Sequence, residues 1–117
     1  MVNKFKTILD AIEKQKGAVN FFAVMKMDNF LDKWSVAIAA DWINKNNDNK
    51  TFSDIYSIFT KFLTLEEAAS LARIGLFTND GYIPQLFKQY QSNTKLENQK
   101  INGFQIYEAY IIKSNLK

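Results

Sequence analysis

Carboxylates, amines and phenols carry the acid–base chemistry open to this chain, because its 117 residues include no histidine, no cysteine and a single arginine, Arg73. Those three side chains most often move protons near neutral pH, attack as thiolates, bind transition metals or grip phosphate in a bidentate fork. Ser-His-Asp and Cys-His mechanisms are therefore excluded within the chain, and so are the standard Cys/His zinc patterns. The glycines at 17, 75, 81 and 103 are isolated, so neither a phosphate-binding loop nor a dinucleotide fingerprint is present. No cofactor is expected.

Carboxylate chemistry remains. Asp28 and Asp32 flank a short polar loop and offer oxygens to a hard cation such as Mg²⁺. Aspartate is also common at strand ends because it hydrogen-bonds the turning backbone, which is the more economical role. No metal ligand is assigned. None of Glu13, Glu66, Glu67, Glu97 or Glu108 is followed two residues later by lysine, so the Glu-x-Lys pattern of divalent-metal nucleases is missing.

Arg73 and Glu108 stand out because each interrupts an otherwise apolar run. On neighbouring strands they would form an ion pair that offsets the desolvation of both ends. Each can instead reach a sheet edge along its aliphatic stem, and an anion site at Arg73 is a third role. Trp34, Trp42, Tyr107 and Tyr110 are candidate interface aromatics. Eight residues apart on one strand, the tryptophans would share a face, while the tyrosines would lie on opposite faces of a regular strand. With Phe22 and Phe104 they offer surfaces for a protein partner or for unpaired bases, with core burial as the default.

The charge balance, 15 Lys+Arg against 12 Asp+Glu, gives a net charge of +3 that is nearly all lysine. Lysine attracts anions without reading base edges as arginine does, so a nucleic-acid role depends on Lys4, Lys6, Lys14, Lys16, Lys45 and Lys50 clustering on one surface. No apolar run reaches the roughly 20 residues of a membrane span, and Met1–Lys16 reads as part of the fold rather than an address. The absence of cysteine fits a reducing compartment, and a cytoplasmic location is the expectation.

Periodicity supplies the elements. Phe5, Ile8, Leu9 and Ile12 repeat at helical spacing, and Gly17 follows as a stop. From Val19 to Trp42 the period becomes two across a turn, which predicts an antiparallel hairpin apolar on both faces and therefore covered at least partly on its second side. After the polar tract 44–50, Thr51 or Ser53 can cap a helix carrying Phe52, Ile55, Tyr56, Phe59, Phe62 and Leu63, an aromatic stripe expected to pack on the sheet. Thr64-Leu65-Glu66-Glu67 matches a capping box opening a short helical turn to about Ser70. Leu71–Phe77 reads as a buried strand. A further helix with Ile83, Leu86, Phe87 and Tyr90 on one face runs to about Gln91. Asn102-Gly103 marks a type I′ hairpin turn before a clear final strand, whereas Lys95–Ile101 has too few apolar residues to decide its arm.

The expected fold is thus one α+β domain over residues 1–117, with a mixed sheet of four or five strands in the order α-β-β-α-β-α-β, closed or not by a hairpin, and packed against helices. The expected role is a small non-enzymatic protein-interaction module or accessory subunit, self-associating or bound to another protein. A lysine-mediated nucleic-acid protein and a carboxylate- or metal-dependent enzyme are the alternatives. No membrane partner is expected.

Overall fold

The structure, a computed structural model, describes residues 2–27, 33–43 and 49–116. The helical stripe at the start becomes α1 (Val2–Lys16), with Phe5, Ile8, Leu9 and Ile12 buried. Gly17 ends it at φ 122°, a conformation costly for any residue with a Cβ, and donates its N–H to the Glu13 carbonyl at 3.0 Å. The alternating segment forms β1 (Phe21–Met27) and β2 (Trp34–Ala39), paired antiparallel with Phe21 opposite Ala39 and Met25 opposite Ser35. There follow α2 (Asn49–Phe62), α3 (Leu65–Ala69), β3 (Leu71–Phe77), α4 (Tyr82–Phe87), β4 (Thr94–Ile101) and β5 (Phe104–Ser114).

The five strands make one mixed sheet in the order β3-β2-β1-β5-β4. Only the β2–β3 pair is parallel, as expected for strands joined through helices, and the other three pairs are antiparallel. Alternation along the strands sorts the core into two layers. Phe22, Val24, Val36 and Ile38 face α1 and α2, where they meet Phe5, Ile8, Ile55 and Phe59. Phe21, Ala23, Ala37 and Ala39 face the opposite way, toward Phe87 of α4 and the half-buried Ile83, Leu86 and Tyr90. The fold is α+β, with helices on both faces of the sheet.

Local signals hold where they rest on backbone geometry. Thr64 caps α3, accepting from the Glu67 N–H at 3.1 Å while Glu67 accepts from the Thr64 N–H at 2.9 Å. Asn102 and Gly103 adopt φ 49° and 88°, both positive as the hairpin turn requires, and Thr94–Ile101 is a strand.

Other expectations need correction. α2 begins at Asn49, so Thr51 and Ser53 lie inside it and do not cap it. α4 stops at Phe87, because the chain tightens into a turn in which Tyr90 N–H donates to the Phe87 carbonyl at 3.0 Å. Leu71–Phe77 is a strand but not a buried one. It lies at the end of the sheet with one neighbour, and none of its residues is buried.

Candidate functional site

The two edges of the sheet differ in how they treat a passing strand. An edge strand presents unpaired N–H and C=O groups, and proteins commonly blunt it with charge, proline or local backbone irregularity. β4 carries exposed Lys95, Glu97 and Lys100, and Asn98 interrupts it at φ 49°. β3, with the sequence Leu-Ala-Arg-Ile-Gly-Leu-Phe, has Arg73 as its one charge and no proline. Among the described residues, no strand pairs with its outer edge.

One flank of that edge is aromatic. α2 turns Ile55, Ile58 and Phe59 into the core, and the helical repeat leaves Phe52 and Tyr56 one turn apart outside it, each 44% exposed. Their rings meet edge-on at 6.2 Å. Between them and β3 runs a groove of about 170 Å³, whose walls include Thr60 and Phe59 on the helix side and Leu71, Ala72 and Ile74 on the strand side. Ser53, Ser57 and Thr60 extend the same outer face of α2, which therefore carries no charge. The charged residues of α2 turn elsewhere: Asp54 accepts from Lys16 of α1 at 2.6 Å and from Lys50 at 3.2 Å. Hydrogen bonds from those two lysines, Lys16 first, hold the Asp54 carboxyl below its ordinary pKa. A contiguous surface of β3 and α2 is thus aromatic, apolar and almost free of charge, which is the composition of an interface centre.

Beneath the other face of β3, space is tight. A Cβ placed on Gly75 would lie 2.8 Å from the Phe77 ring, so that ring folds back over the glycine. Nearby Ser35 is buried, and its hydroxyl has no hydrogen-bond partner among the described residues.

Arg73 and Glu108 are not brought together. β2 and β1 separate their strands, a span of roughly 14 Å at the usual strand spacing. The register also places Arg73 beside Ser35 but Glu108 beside Lys26, on opposite faces of the sheet. Glu108 instead accepts from the Tyr110 hydroxyl at 2.6 Å, a bond that raises the phenol pKa, with burial adding to the rise. Arg73 lies at the open edge, lining the groove beside Phe52 and Tyr56.

The candidate aromatics divide. Trp34 and Trp42 do pack against the same helix-side cluster, but Trp42 lies beyond the end of β2. Its indole N–H donates to the carbonyls of Gly17 and Ala18, at 3.2 and 3.0 Å, tying α1 to β1. Trp34 contacts Tyr110 at 6.0 Å and holds Lys26 over its ring at 4.7 Å. Tyr110 is half-buried, whereas Tyr107 is 39% exposed. The β1–β5 register shifts by one residue there, so the simple opposite-face rule does not apply. Phe22 is fully buried against Phe59, and Phe104 is at the surface.

Five of the six lysines named for a nucleic-acid surface lie on α1 and α2. Lys4 pairs with Glu67, and Lys16 and Lys50 share Asp54, so half of the six candidates are bound to carboxylates. Lys45 lies outside the described residues, as do Asp28 and Asp32. Among the described residues, no three Asp or Glu side chains converge to hold a metal ion. No helix among them is long and apolar enough to cross a membrane.

The aromatic stripe expected to pack on the sheet does so through Phe59 but leaves Phe52 and Tyr56 at the surface, and Ile74, Gly75 and Leu76 carry no role in the sequence beyond their place in an expected buried strand. A usable signal existed: Phe52, Tyr56 and Thr60 repeat every fourth residue without a charge on their face, and Gly75 interrupts an apolar strand with a single charge. Comparison with protein-family models, with curated proteins and with solved structures finds no match.

Proposed function

We propose that this chain is a non-enzymatic protein-interaction module that binds an extended, largely apolar polypeptide segment by strand addition at β3. The observation that carries this proposal is the asymmetry of the sheet: β4 is guarded by charge and an irregular Asn98, while β3 is bare and flanked by exposed Phe52 and Tyr56. Main-chain hydrogen bonds would supply affinity at such an edge, and the aromatic groove on α2 would receive the side chains of the added strand. The cytoplasm is proposed as its compartment, because a chain without cysteine suits reducing conditions.

The test is quantitative affinity capture from the native cell with two tagged baits, the wild type and Ile74→Pro. Proline at an edge position costs the fold little when the lost N–H points away from the sheet, but it blocks a further strand. A bound protein, untagged copies of this chain included, should fall several-fold on the proline bait. Equal recovery on both baits removes β3 as the binding edge.

A further inference from the structure

The direction of the β3 backbone groups follows from one hydrogen bond. Trp34 N–H donates to the Ser70 carbonyl, toward β3. Backbone groups alternate sides along a strand, and the register shift between Trp34 and Ser35 puts its extra residue, Ala72, on β3, so the groups of Val36 and Ile38 on β2 also point to β3. In a parallel ladder a residue bonds the two neighbours of its register partner, not the partner itself. The partners of Val36 and Ile38 are Ile74 and Leu76. Arg73, Gly75 and Phe77 therefore supply the bonds to β2, and the N–H and C=O groups of Ile74 and Leu76 face the open side. The closeness of the Val36 carbonyl oxygen to Gly75, 3.7 Å from a Cβ placed there, agrees with this arrangement.

We infer that the strand added at β3 is β3 of a second copy, antiparallel, with a two-fold axis through Gly75; this rests on the β3-edge function proposed above. In that register Ile74 of each copy faces Leu76 of the other, and the outward groups close four N–H···O bonds. The two Gly75 residues form the central non-hydrogen-bonded pair, where Cα atoms approach to about 4.5 Å. That close point is already crowded by the Phe77 ring. An opposing residue with a large side chain on that face would meet the ring, whereas a second glycine does not. Arg73 comes opposite Phe77 of the second copy, so like charges are kept apart and a cation meets an aromatic ring. The axis stands perpendicular to the sheet, so both α2 helices lie on one face and their Phe52–Tyr56 pairs approach each other across it.

Size sets the expected strength. Seven residues of β3 and the outer face of α2 contribute roughly a dozen residues from each copy, against the roughly 20–30 of a standard interface. The dimer should accordingly be reversible, with a dissociation constant in the micromolar range or weaker.

Sedimentation equilibrium from about 10 µM to 1 mM should show monomer and dimer exchanging with concentration, and Ile74→Pro should weaken the dimer at least tenfold, with thermal unfolding confirming that the variant folds. The absence of native cysteine allows a register test. Arg73→Cys/Phe77→Cys should form a disulfide-linked dimer under mild oxidation, since residues 73 and 77 of opposite copies are a close non-hydrogen-bonded pair. Neither single variant should link, because identical positions are offset by four residues, roughly 14 Å. A wild type that stays monomeric at 1 mM overturns the second copy as occupant. If capture by the wild-type bait nevertheless depends on Ile74, the interaction function stands and the occupant is a different chain. A dimer that Ile74→Pro leaves unchanged, or one linked equally by the single cysteines, also overturns the inference.

Discussion

Single side chains show how little of this protein's polar chemistry is spare. Trp42 is a candidate interface aromatic if it shares a strand face with Trp34, yet its indole N–H serves the Gly17 and Ala18 carbonyls where α1 hands over to β1. Gly17 occupies a backbone conformation that leaves its carbonyl outside the helix ladder, so the indole replaces a bond the helix cannot make. Trp42→Phe keeps an aromatic ring and removes that donor. The expected cost is about 1–2 kcal/mol, the range for losing a hydrogen bond at a partly buried site. For a domain of this length the cost corresponds to a fall in Tm of about 4–8 °C, measurable by circular dichroism. An unchanged Tm would mean that water serves the two carbonyls as well as the indole does. No sequence pattern announces this role, since residues 17 and 42 meet only once the hairpin has folded.

Elements, by contrast, were largely legible, because each short-range pattern has one cheap physical solution. The stripe of Phe5, Ile8, Leu9 and Ile12 buries along one helix face, and the Asn102-Gly103 turn supplies two residues tolerant of positive φ. The capping box is the clearest case, and it also joins elements: Glu67 satisfies the Thr64 N–H and pairs with Lys4 of α1. A hydrogen bond from Lys4, with the Thr64 N–H next in weight, holds the Glu67 carboxyl below its ordinary value of 4.5. A carboxylate whose pKa is lower folded than unfolded stabilises the fold fully above the unfolded value. That contribution is lost as pH falls through the folded one. Asp54 and its two lysines act in the same direction. Glu67→Gln should therefore flatten the acid limb of stability: urea midpoints measured from pH 7 to pH 2 should fall less steeply below about pH 4.5 in the variant than in the wild type. Parallel curves would show that the Lys4–Glu67 pair is not held in solution. What the element scale hid was extent. α2 starts before its expected caps and α4 ends early, since helix ends depend on tertiary neighbours as well as on local sequence.

At the scale of the whole molecule, the missing information was strand order, and it changed what the residues mean. Leu71–Phe77 is apolar enough to be a central parallel strand, and only the pairing β3-β2-β1-β5-β4 shows that it is an edge. The same order separates Arg73 from Glu108, because a sequence gives no rule for which strands lie between two others. Placing β3 outside leaves its apolar residues only partly buried and turns the backbone of Ile74 and Leu76 outward, and it sets Ile74 beside Phe52 and Tyr56. Amide hydrogen exchange can read this arrangement directly. In dilute solution the Ile74 and Leu76 amides should exchange far faster than those of Gly75 and Phe77, which bond β2. On concentration, only the first pair should slow, and a sample nine-tenths dimeric should slow them about tenfold, because exchange then proceeds through the remaining monomer. The β4 edge should keep its rates at every concentration, since charge and the positive φ of Asn98 keep other strands from it. Slowing at β4 instead, with Ile74 and Leu76 unaffected, would assign association to the edge that the charge pattern marks as guarded.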